Sequence, residues 1–516
     1  MLHDTICSMF VRKNRNRSGA ITVQVISKKG GQYRVVKSFG TSSDPNDLSR
    51  LVQAAQEFVH NPSKQVPLFC TESSIDLHIE NFLDDMTNAH VHVIGPELIF
   101  GTIFDRVGFN SVNDDLFRHL VIARLAFPLS KLKTADYLYR YQGVAVSDDA
   151  IYRSLDRLHT RHKETVERIS YEHTKKTLGT ISVVFYDMTT LYFEAEDEDD
   201  LRKIGYSKDG KFDCPQIMLG LLIGEGGYPI GYDIFEGNTY EGKTLVPTLT
   251  AIQAKYGFAK PIVVADAGLL SKKNLEELLE KEYVFILGAR IRNETDALKA
   301  TILKRTMGLK DGECVVVKKP DGTRLIVTYS DKRARKDAHN REKGLTKLRA
   351  KVKTGKLTKQ QVHNRGYNRF LTLEGEISVS VDEKRVEGDK AWDGLKGYVT
   401  NTTLTPKKVV EHYSHLWQIE YAFRISKTDL RVRPVYHYKR RRIEAHLCIA
   451  FVAYTIWKEL ERLLKKANVD MSVKRAGELT QNMYELQYEL PDSRRARKKM
   501  LKMSPEQCLL YDVVHK

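Results

Sequence analysis

Three acidic residues lie in apolar or cationic stretches of the sequence, where a carboxylate is unexpected. Asp187 lies in "VVFYDMTTLYF" and Asp266 in "IVVADAGLL", each as a single charge among apolar residues. Burying such a charge is costly unless it gains an ionic partner or a metal ion. Glu420 lies in "HYSHLWQIEYAFRISKTDLRVRP", residues 412–434, which is rich in arginine and lysine. Each acid alone fits an ordinary role, as a strand-end aspartate or an i, i+4 partner of Arg424, but together they indicate a site.

The two aspartates fall at the ends of predicted strands. Continuous β-branched and aromatic runs predict buried strands in "ISVVFYDMTTLYFE", "KPIVVADAGLL" and "YVFILGARI", and two further strands flank a Gly-Gly turn in "QIMLGLLIGEGGYPIGYDIFEGN". Helices are predicted in "TLVPTLTAIQAKYG" and "SKKNLEELLEKE". The order β-β-β-α-β-α-β predicts a mixed sheet with helical cover. Carboxyl ends of adjacent strands meet at one edge of a sheet, so Asp187 and Asp266 are expected to be neighbours.

Glu420 is predicted to lie on one continuous helix over 412–434. At about 100° per residue, one stripe of this helix is polar and aromatic and the neighbouring stripe is apolar. The first stripe contains Tyr413, Trp417, Glu420, Arg424, Lys427 and Arg431. The second contains Leu416, Ile419, Phe423 and Leu430, which would seat the helix on the sheet. We expect Glu420 to bind a metal ion, the cations to hold phosphates, and the aromatic residues to stack on an unpaired base.

The chemistry of the three acids favours a hard divalent cation. Asp187, Asp266 and Glu420 come without a cysteine or histidine pattern, and carboxylate oxygens are the ligands that Mg²⁺ prefers. Two such ions about 4 Å apart can activate an attacking oxygen and stabilise a leaving oxygen at a phosphodiester. The expected cofactor is therefore a pair of Mg²⁺ ions, with Mn²⁺ as a substitute.

The composition indicates a polyanionic partner. The 516 residues carry a formal net charge of +17 at pH 7. The 6 cysteines are scattered, which fits a reducing compartment, and the longest apolar stretch, 447–457, is too short to span a bilayer. No signal-peptide pattern opens the chain. The expected protein is soluble, cytoplasmic and nucleoid-associated, without a membrane partner.

The three acids, in a sheet–insertion–helix order, resemble those of the DDE transposases of the IS4-like superfamily, most closely the IS1634-like group. In that family the helix carries Tyr, two residues, Arg, three residues, Glu, six residues and Lys. Tyr413, Glu420 and Lys427 match this spacing, whereas Leu416 stands at the arginine position and Arg424 is a possible substitute. The resemblance covers about residues 180 to 460. It includes a segment after the third strand that contains Gly237, Asn238 and Glu241.

The resemblance implies an α/β fold with an RNase H-like catalytic core interrupted by a β-rich insertion. It implies cut-and-paste transposition, in which the transposon ends are hydrolysed and the freed 3′-hydroxyl attacks target DNA. The implied partner is double-stranded DNA, at transposon ends and target, and the synaptic complex is expected to be a homodimer. Relatives hold a flipped base against an insertion-domain tryptophan. Trp392 is the candidate, with a role in the core of the insertion as its alternative, and Trp417 is the second candidate.

The expected DNA contacts and the expected domains complete the sequence-based picture. The DNA-binding residues are expected to be Tyr413, Trp417, Arg424, Lys427 and Trp392. The expected domains are an N-terminal β-hairpin and helix (1–70), a helical DNA-binding domain (71–176), the first part of the core (177–295), a basic β-rich insertion (296–399), the second part of the core with the Glu420 helix (400–468), and a helical basic C-terminal tail (469–516).

Two other functions fit the same residues. One is an RNase H-like nuclease that cuts DNA without joining strands. The other is a DNA-binding derivative that has lost catalysis, although a pure binder gains nothing from carboxylates that face phosphates. An assay with paired end DNA that scores both cleavage and strand transfer separates these functions from a transposase.

Overall fold

The chain divides into two units, Met1–Thr87 and Asn88–Lys516. The structure, a computed structural model, describes residues 9–29, 31–60, 74–84, 86–87, 90–207, 210–257, 259–354, 362, 366–374, 378–490 and 493–516. The end of the basic stretch at 355–359 and part of the predicted strand at 374–382 lie outside the described residues.

The first unit contains a three-stranded antiparallel sheet with a helix against it. Its elements are β1 (Met9–Arg15), β2 (Ile21–Lys29), β3 (Gln32–Ser42), α1 (Pro45–His60) and α2 (Ser74–Asp84). Alternating apolar residues of β2 place Val23 and Val25 in a small core with Ala55 of α1. The predicted hairpin and the helix after it are confirmed, and β1 adds a strand that the sequence pattern did not indicate.

The second unit opens with helices. Its first elements are β4 (Val91–Val93), α3 (Thr102–Val107), α4 (Asp115–Ala126), α5 (Lys131–Gln142), α6 (Asp148–Arg157) and α7 (Lys163–Leu178). Side chains of Asp114, Ser130 and Ser147 cap α4, α5 and α6 by accepting hydrogen bonds from first-turn N–H groups. The predicted helical character of 75–176 is confirmed in the described residues, with β4 as the exception.

The predicted order of strands and helices after residue 181 is confirmed. The elements are β5 (Val183–Tyr192), β6 (Gln216–Gly224), β7 (Pro229–Glu236), α8 (Leu245–Tyr256), β8 (Ile262–Ala265), α9 (Lys272–Glu280) and β9 (Val284–Ala289). In space the strands run β7-β6-β5-β8-β9. The pairs β5–β8 and β8–β9 are parallel, and the pairs β5–β6 and β6–β7 are antiparallel.

The segment 296–399 requires a correction. Its elements are α10 (Asp296–Thr306), β10 (Cys314–Lys318), β11 (Arg324–Tyr329), α11 (Asp331–Lys353), β12 (Leu371–Glu374), β13 (Ser378–Val381), α12 (Glu383–Lys390) and β14 (Leu395–Thr400). In its described residues, helices cover more of the chain than strands, so "β-rich" is wrong. The strands β14, β11 and β10 extend the core sheet beyond β9 to eight strands. This pairing satisfies the N–H and C=O groups that β9 would otherwise expose at an edge.

The last part of the chain returns to the sheet and then leaves it. Its elements are α13 (Pro406–Ser414), α14 (Trp417–Arg424), α15 (Arg440–Lys466), α16 (Val473–Thr480), β15 (Tyr484–Glu489), β16 (Ala496–Met500) and α17 (Pro505–His515). Most of α15 is buried. Among the described residues, no helix combines the length and the apolar character needed to cross a bilayer.

Two predictions for this part are wrong. The helix over 412–434 is not continuous, because a turn at 415–416 separates α13 from α14, and a π-helical turn, Ile425–Asp429, ends the second helix. Arg431 then has a positive φ of 45°, which no α-helix contains. The C-terminal tail is not wholly helical, because β15 pairs with both β16 and β4. Strand pairing outweighs the helical preference of the basic run in "DSRRARKKMLK", part of which forms β16.

The eight-stranded sheet buries a core on each face. Phe185, Val264 and Ile286 belong to the core that also contains α14 and α15. Their neighbours Tyr186 and Ala265 belong to the opposite core, which contains α8 and α9. Successive residues of a strand point to opposite faces of the sheet. The core to which a residue belongs therefore also determines the face to which the next residue of its strand points.

Candidate active site

The register of the sheet brings Asp187 and Asp266 together. In the parallel pair β5–β8, Tyr186 lies opposite Ala265, and each aspartate is the next residue of its chain. Neighbouring strands lie about 4.8 Å apart, so the two aspartates are neighbours across the sheet. The predicted strand-end position of Asp187 is wrong, because β5 continues to Tyr192 in its pairing with β6. Asp187 is half-buried and accepts a hydrogen bond from the N–H of Met188 at 2.7 Å, whereas Asp266 is exposed.

Both aspartates point to the face that carries the Glu420 helix. Asp187 pairs with Leu221, which belongs to the α14–α15 core, and Asp266 alternates with Ala265, which belongs to the other core. Helix α14 buries Ile419 in the same α14–α15 core and leaves Glu420 exposed. The three acids of the sequence therefore lie on one side of one sheet.

Tyr413 connects α13 to Asp266. Its hydroxyl donates a hydrogen bond to Asp266 Oδ1 at 2.9 Å, and its ring packs edge-on against Tyr398 at 4.8 Å between centroids. Burial raises the pKa of the Tyr413 phenol, and the negative charge of Asp266 adds to the shift, so the phenol remains a donor. Gly288 makes room for this contact, because a Cβ there would lie 2.5 Å from the Tyr413 hydroxyl oxygen.

Lys396 of β14 lies between the acids. Burial lowers the pKa of its ammonium, and the Arg333 guanidinium adds to that shift, whereas Asp266 and Glu420 oppose it. The ammonium also lies 4.4 Å from the centroid of the Tyr413 ring. One lysine is thus close enough to Asp266 and to Glu420 to be influenced by both.

Asp266 and Lys396 line an open cleft of about 550 Å³, here called the carboxylate cleft, whereas Asp187 and Glu420 are not among its lining residues. The polar and aromatic residues that line it are Asp266, Arg290, Arg292, Asn293, Arg333, Asp337, Trp392, Lys396 and Tyr413. The sequence did not indicate Lys396 or Arg290 as site residues, because each is a single cation next to a strand. Their signal is the pairing of β14 with β9, which only the fold reveals.

The donor set fits a hard divalent cation in its chemistry. Asp187, Asp266 and Glu420 offer only carboxylate oxygens, which suit Mg²⁺ or Mn²⁺. Among the residues that the structure describes, no three His, Cys, Asp or Glu side chains are grouped tightly enough to hold a metal ion. The register brings two of the acids side by side, and α14 presents the third from the same side of the sheet.

The exposed side of α14 carries an aromatic and cationic surface. The Trp417 side chain is 57% exposed and lies 6.2 Å from the Tyr421 ring, and the Arg424 guanidinium lies 4.8 Å from that ring. Trp417, Glu420 and Arg424 share this side, as predicted for an α-helix.

The other residues of the predicted polar and aromatic stripe do not share this side of the helix. Tyr413 lies before the turn and is buried, Lys427 lies in the π-helical turn, and Arg431 lies beyond it. Lys427 is half-buried and lines a narrow crevice between the helices and the sheet, next to Thr189 and Phe423. Leu416, at the position of the family's arginine, is buried in the α14–α15 core.

Trp392 contacts both a hydrophobic core and an open cleft, the environments that correspond to its two candidate roles. It is half-buried, packs against the α8–α9 core, and also lines the carboxylate cleft. The family segment after β7 lies close to the site as well. Gly237 is packed so tightly that a Cβ would meet backbone oxygens of Gln216 and Lys203 at 2.0 and 2.3 Å. The carboxylate of Glu241 lies 3.3 Å from the Cβ position of Gly268, two residues after Asp266.

Comparisons with known proteins identify the family of this chain. The transposase DDE domain family matches residues 178–456, from just before β5 into α15. The transposase for insertion sequence element IS231E of Bacillus thuringiensis subsp. finitimus is 28% identical over 147 residues, 27% of this chain. The chain spans 30% of that relative's length. The cryo-EM structure of the piggyBac transposase synaptic complex with hairpin DNA aligns at a TM-score of 0.38 and 10% identity, over 78% of both chains. The family match covers more than half of the chain and includes all three acids, so the chain belongs to the DDE transposase family.

Proposed function

We propose that this protein is the DNA transposase of an insertion sequence of the IS4-like superfamily, in its IS1634-like group. It binds terminal inverted repeats, cleaves DNA at them and transfers the cut strand to a target, and it works at the nucleoid. One observation carries this proposal: Asp187 and Asp266 leave adjacent strands on the face that presents Glu420, with Lys396 close to Asp266 and Glu420.

Asp187, Asp266 and Glu420 are the proposed metal ligands. When bound, two Mg²⁺ ions supply activation of the attacking oxygen and stabilisation of the leaving oxygen at the phosphodiester. Tyr413 orients Asp266 through its hydrogen bond and leaves the second carboxylate oxygen available. This acid set is the reason to prefer an enzyme over an inactive DNA-binding derivative.

The cations of the carboxylate cleft hold the scissile phosphate. Lys396 of β14 and Arg333 of α11 face Asp266. Their positive charge attracts a DNA strand that the acids alone would repel. In hydrolysis the oxygen of water attacks phosphorus and the 3′-oxygen of the neighbouring nucleotide leaves with a proton. In strand transfer the freed 3′-hydroxyl takes the place of water.

The exposure and charge of other parts of the chain are the reasons for proposing that they also contact DNA. Trp417, Tyr421 and Arg424 form the surface on which an unpaired base stacks, with Trp392 as the second candidate. The helical region 71–176 is proposed to bind the duplex, and two copies are proposed to pair the ends. The strand order β7-β6-β5-β8-β9 supports an RNase H-like core, with 296–399 as its insertion.

The test uses duplexes that carry the ends of the element and a separate supercoiled target. The purified chain, with Mg²⁺ and then with Mn²⁺, is expected to release a 3′-hydroxyl at the end and to join it to the target. Cleavage without joined product would favour a nuclease. Binding without either product would favour an inactive DNA-binding derivative. The control duplex carries a scrambled end and is expected to give neither product.

A further inference from the structure

A second cleft, of about 560 Å³, lies between the α4–α5 connection and the segment that follows the Glu420 helix. We call it the cationic cleft, after the basic residues and histidines that line it: Arg124, Lys131, Lys133, Arg431, Arg433, His437 and His446. It is distinct from the carboxylate cleft, because the two have no lining residue in common.

The cationic cleft contains buried positive charge without an acid to balance it. Arg124 is 6% exposed and Lys131 is 7% exposed. All the lining residues belong to the described part of the chain, and none of them is acidic. Arg124 reaches only the backbone carbonyls of Leu430 and Arg431, each at 3.4 Å. A buried charge without a partner is strongly unfavourable, so a bound anion would stabilise this arrangement.

Lys131 and His446 of the cleft are also short of partners among the described residues. Within the described residues, the Lys131 ammonium has neither a hydrogen bond nor an ion pair. His446 Nε2 donates one hydrogen bond to the carbonyl of Val432 at 3.0 Å, while its buried Nδ1 has none within the described residues. Burial lowers the pKa of Arg124 to about 10 and that of His437 to about 3, and the neighbouring cations lower the His437 value further. No carboxylate contributes to either shift.

The start of α5 adds to the positive charge. This helix begins at Lys131, its first turn holds Lys133 and no acid, and Ser130 caps it. Helix N-termini carry a partial positive charge, and acidic residues are the ones that stabilise them. Two lysines in the first turn therefore oppose the stability of the helix, but they concentrate positive charge at a helix end that can bind an anion.

We propose that the cationic cleft binds a phosphate group of the DNA strand that passes through the carboxylate cleft. The choice of DNA over a free anion rests on the proposed function and on position. Arg431 and Arg433 follow the Glu420 helix directly, and Val435 bridges to Phe193 at the end of β5, six residues beyond Asp187. Along a strand this is on the order of 20 Å, or about six nucleotides from the scissile bond. Tyr436, 61% exposed, offers an aromatic ring at the mouth.

The experiment compares Lys131→Met with the wild-type chain in two arms. In the first arm, melting temperature is measured in chloride and in inorganic phosphate at equal ionic strength. We expect phosphate to raise the melting temperature of the wild type. Lys131→Met is expected to melt higher in chloride, because it removes an unbalanced buried charge, and to lose the response to phosphate.

The second arm measures duplex binding against salt concentration. Loss of one phosphate contact is expected to lower the slope of log affinity against log salt by about 0.9. Affinity at fixed salt is expected to fall about tenfold. A wild type that binds no DNA would refute the proposed function, whereas the phosphate arm would still decide whether the cleft takes an anion.

Lys163→Met is the matched control. Lys163 opens α7 as Lys131 opens α5, but its ammonium contacts Glu444 at 2.6 Å. Its replacement is expected to lower the melting temperature, to keep the phosphate response and to leave the salt slope unchanged. An absent phosphate response in the wild type, or a destabilised Lys131→Met, would overturn the anion site. A phosphate response with an unchanged DNA slope would overturn the assignment to DNA.

Discussion

The two clefts differ in how their charges are balanced. In the carboxylate cleft, Lys396 and Arg333 share the lining with Asp266 and Asp337, so positive and negative groups are both present before any ligand binds. In the cationic cleft, buried cations have no acid among the described lining residues. A mixed site can hold a divalent ion and a phosphate at the same time. A purely cationic site can hold only an anion. The difference therefore distinguishes a cleft suited to the proposed reaction from a cleft suited to anchoring the DNA.

The carboxylates should give the largest effect. Asp187→Asn, Asp266→Asn and Glu420→Gln each keep the shape of a side chain and remove the charge that is proposed to bind the metal ion. We expect cleavage and joining to fall by on the order of 100-fold or more, since even residues that only support metal ligands cost 10- to 100-fold. Binding to end DNA, measured by mobility shift, should be nearly unchanged, because the cations remain.

Asp233→Asn is the control for these variants. Asp233 is also a half-buried strand aspartate, and it accepts a hydrogen bond from the next N–H at 2.8 Å, as Asp187 does at 2.7 Å. It lies on β7, which β6 separates from β5 and therefore from Asp187. Its variant should cleave normally. If one of the triad variants cleaves as well as Asp233→Asn, that acid does not belong to the site.

Lys396→Met should give the second effect. It removes a charged contact to the scissile phosphate, worth about 1.5–3 kcal/mol, so the apparent affinity for DNA should fall about tenfold or more. Higher DNA concentration or lower salt should restore most of the cleavage, which the triad variants will not show. Unlike Lys131→Met, it should not stabilise the chain, because Asp266 and Glu420 then lose their cation.

Lys318→Met provides the comparison for Lys396. Lys318 is an exposed strand lysine at the far end of the same sheet, on β10. Its replacement should change neither DNA affinity nor melting temperature. A Lys396→Met defect that more DNA cannot rescue would mean that Lys396 acts in the chemical step instead of in binding.

Local sequence patterns were sufficient for the sheet and for the position of two acids. The runs around Asp187 and Asp266 are buried strands, and their parallel register could be expected from the order of elements alone. The same patterns failed for 412–434, because apolar spacing of three and four residues persists through a break. The turn before Trp417 and the π-helical turn around Lys427 depend on packing against the sheet, which periodicity does not report.

Contacts between distant segments were beyond sequence reasoning. Lys396 reaches the site because β14 pairs with β9, more than 100 residues earlier in the chain. Lys131 meets Arg431 because the α4–α5 connection packs against the segment after α14. Neither residue has a distinctive neighbour in sequence, so a single sequence carries no signal for either position.

Tyr413→Phe tests how Asp266 is held. The variant loses one hydrogen bond to a charged group, which is on the order of 1.5 kcal/mol, so cleavage should fall about tenfold with little change in DNA affinity. Tyr398→Phe is the matched control, since its ring contacts Tyr413 at 4.8 Å but the Tyr413 hydroxyl is the one that reaches Asp266. Cleavage rates at saturating DNA compare the two. An equal loss in both would assign the effect to ring packing.

Arg333 and Arg335 test how far the carboxylate cleft extends into the basic helix α11. Both are exposed, but only Arg333 lines the cleft, where it influences Lys396. Helix α11 is fixed to the strand side by Arg341, whose guanidinium contacts Asp393 at 2.6 Å, so the side chain of Arg333 has a defined place.

Arg333→Gln should lower the slope of log affinity against log salt by about 0.9, the value for one phosphate contact, with a small change in affinity. Arg335→Gln should leave the slope unchanged. Replacing Lys332, Arg333, Arg335 and Lys336 together should then do little more than Arg333→Gln alone. If the slope instead falls by about 0.9 for each cation removed, the whole basic face of α11 binds phosphates. The carboxylate cleft would then be one end of a long cationic surface, and the contrast between a mixed cleft and a purely cationic one would no longer describe how the protein holds DNA.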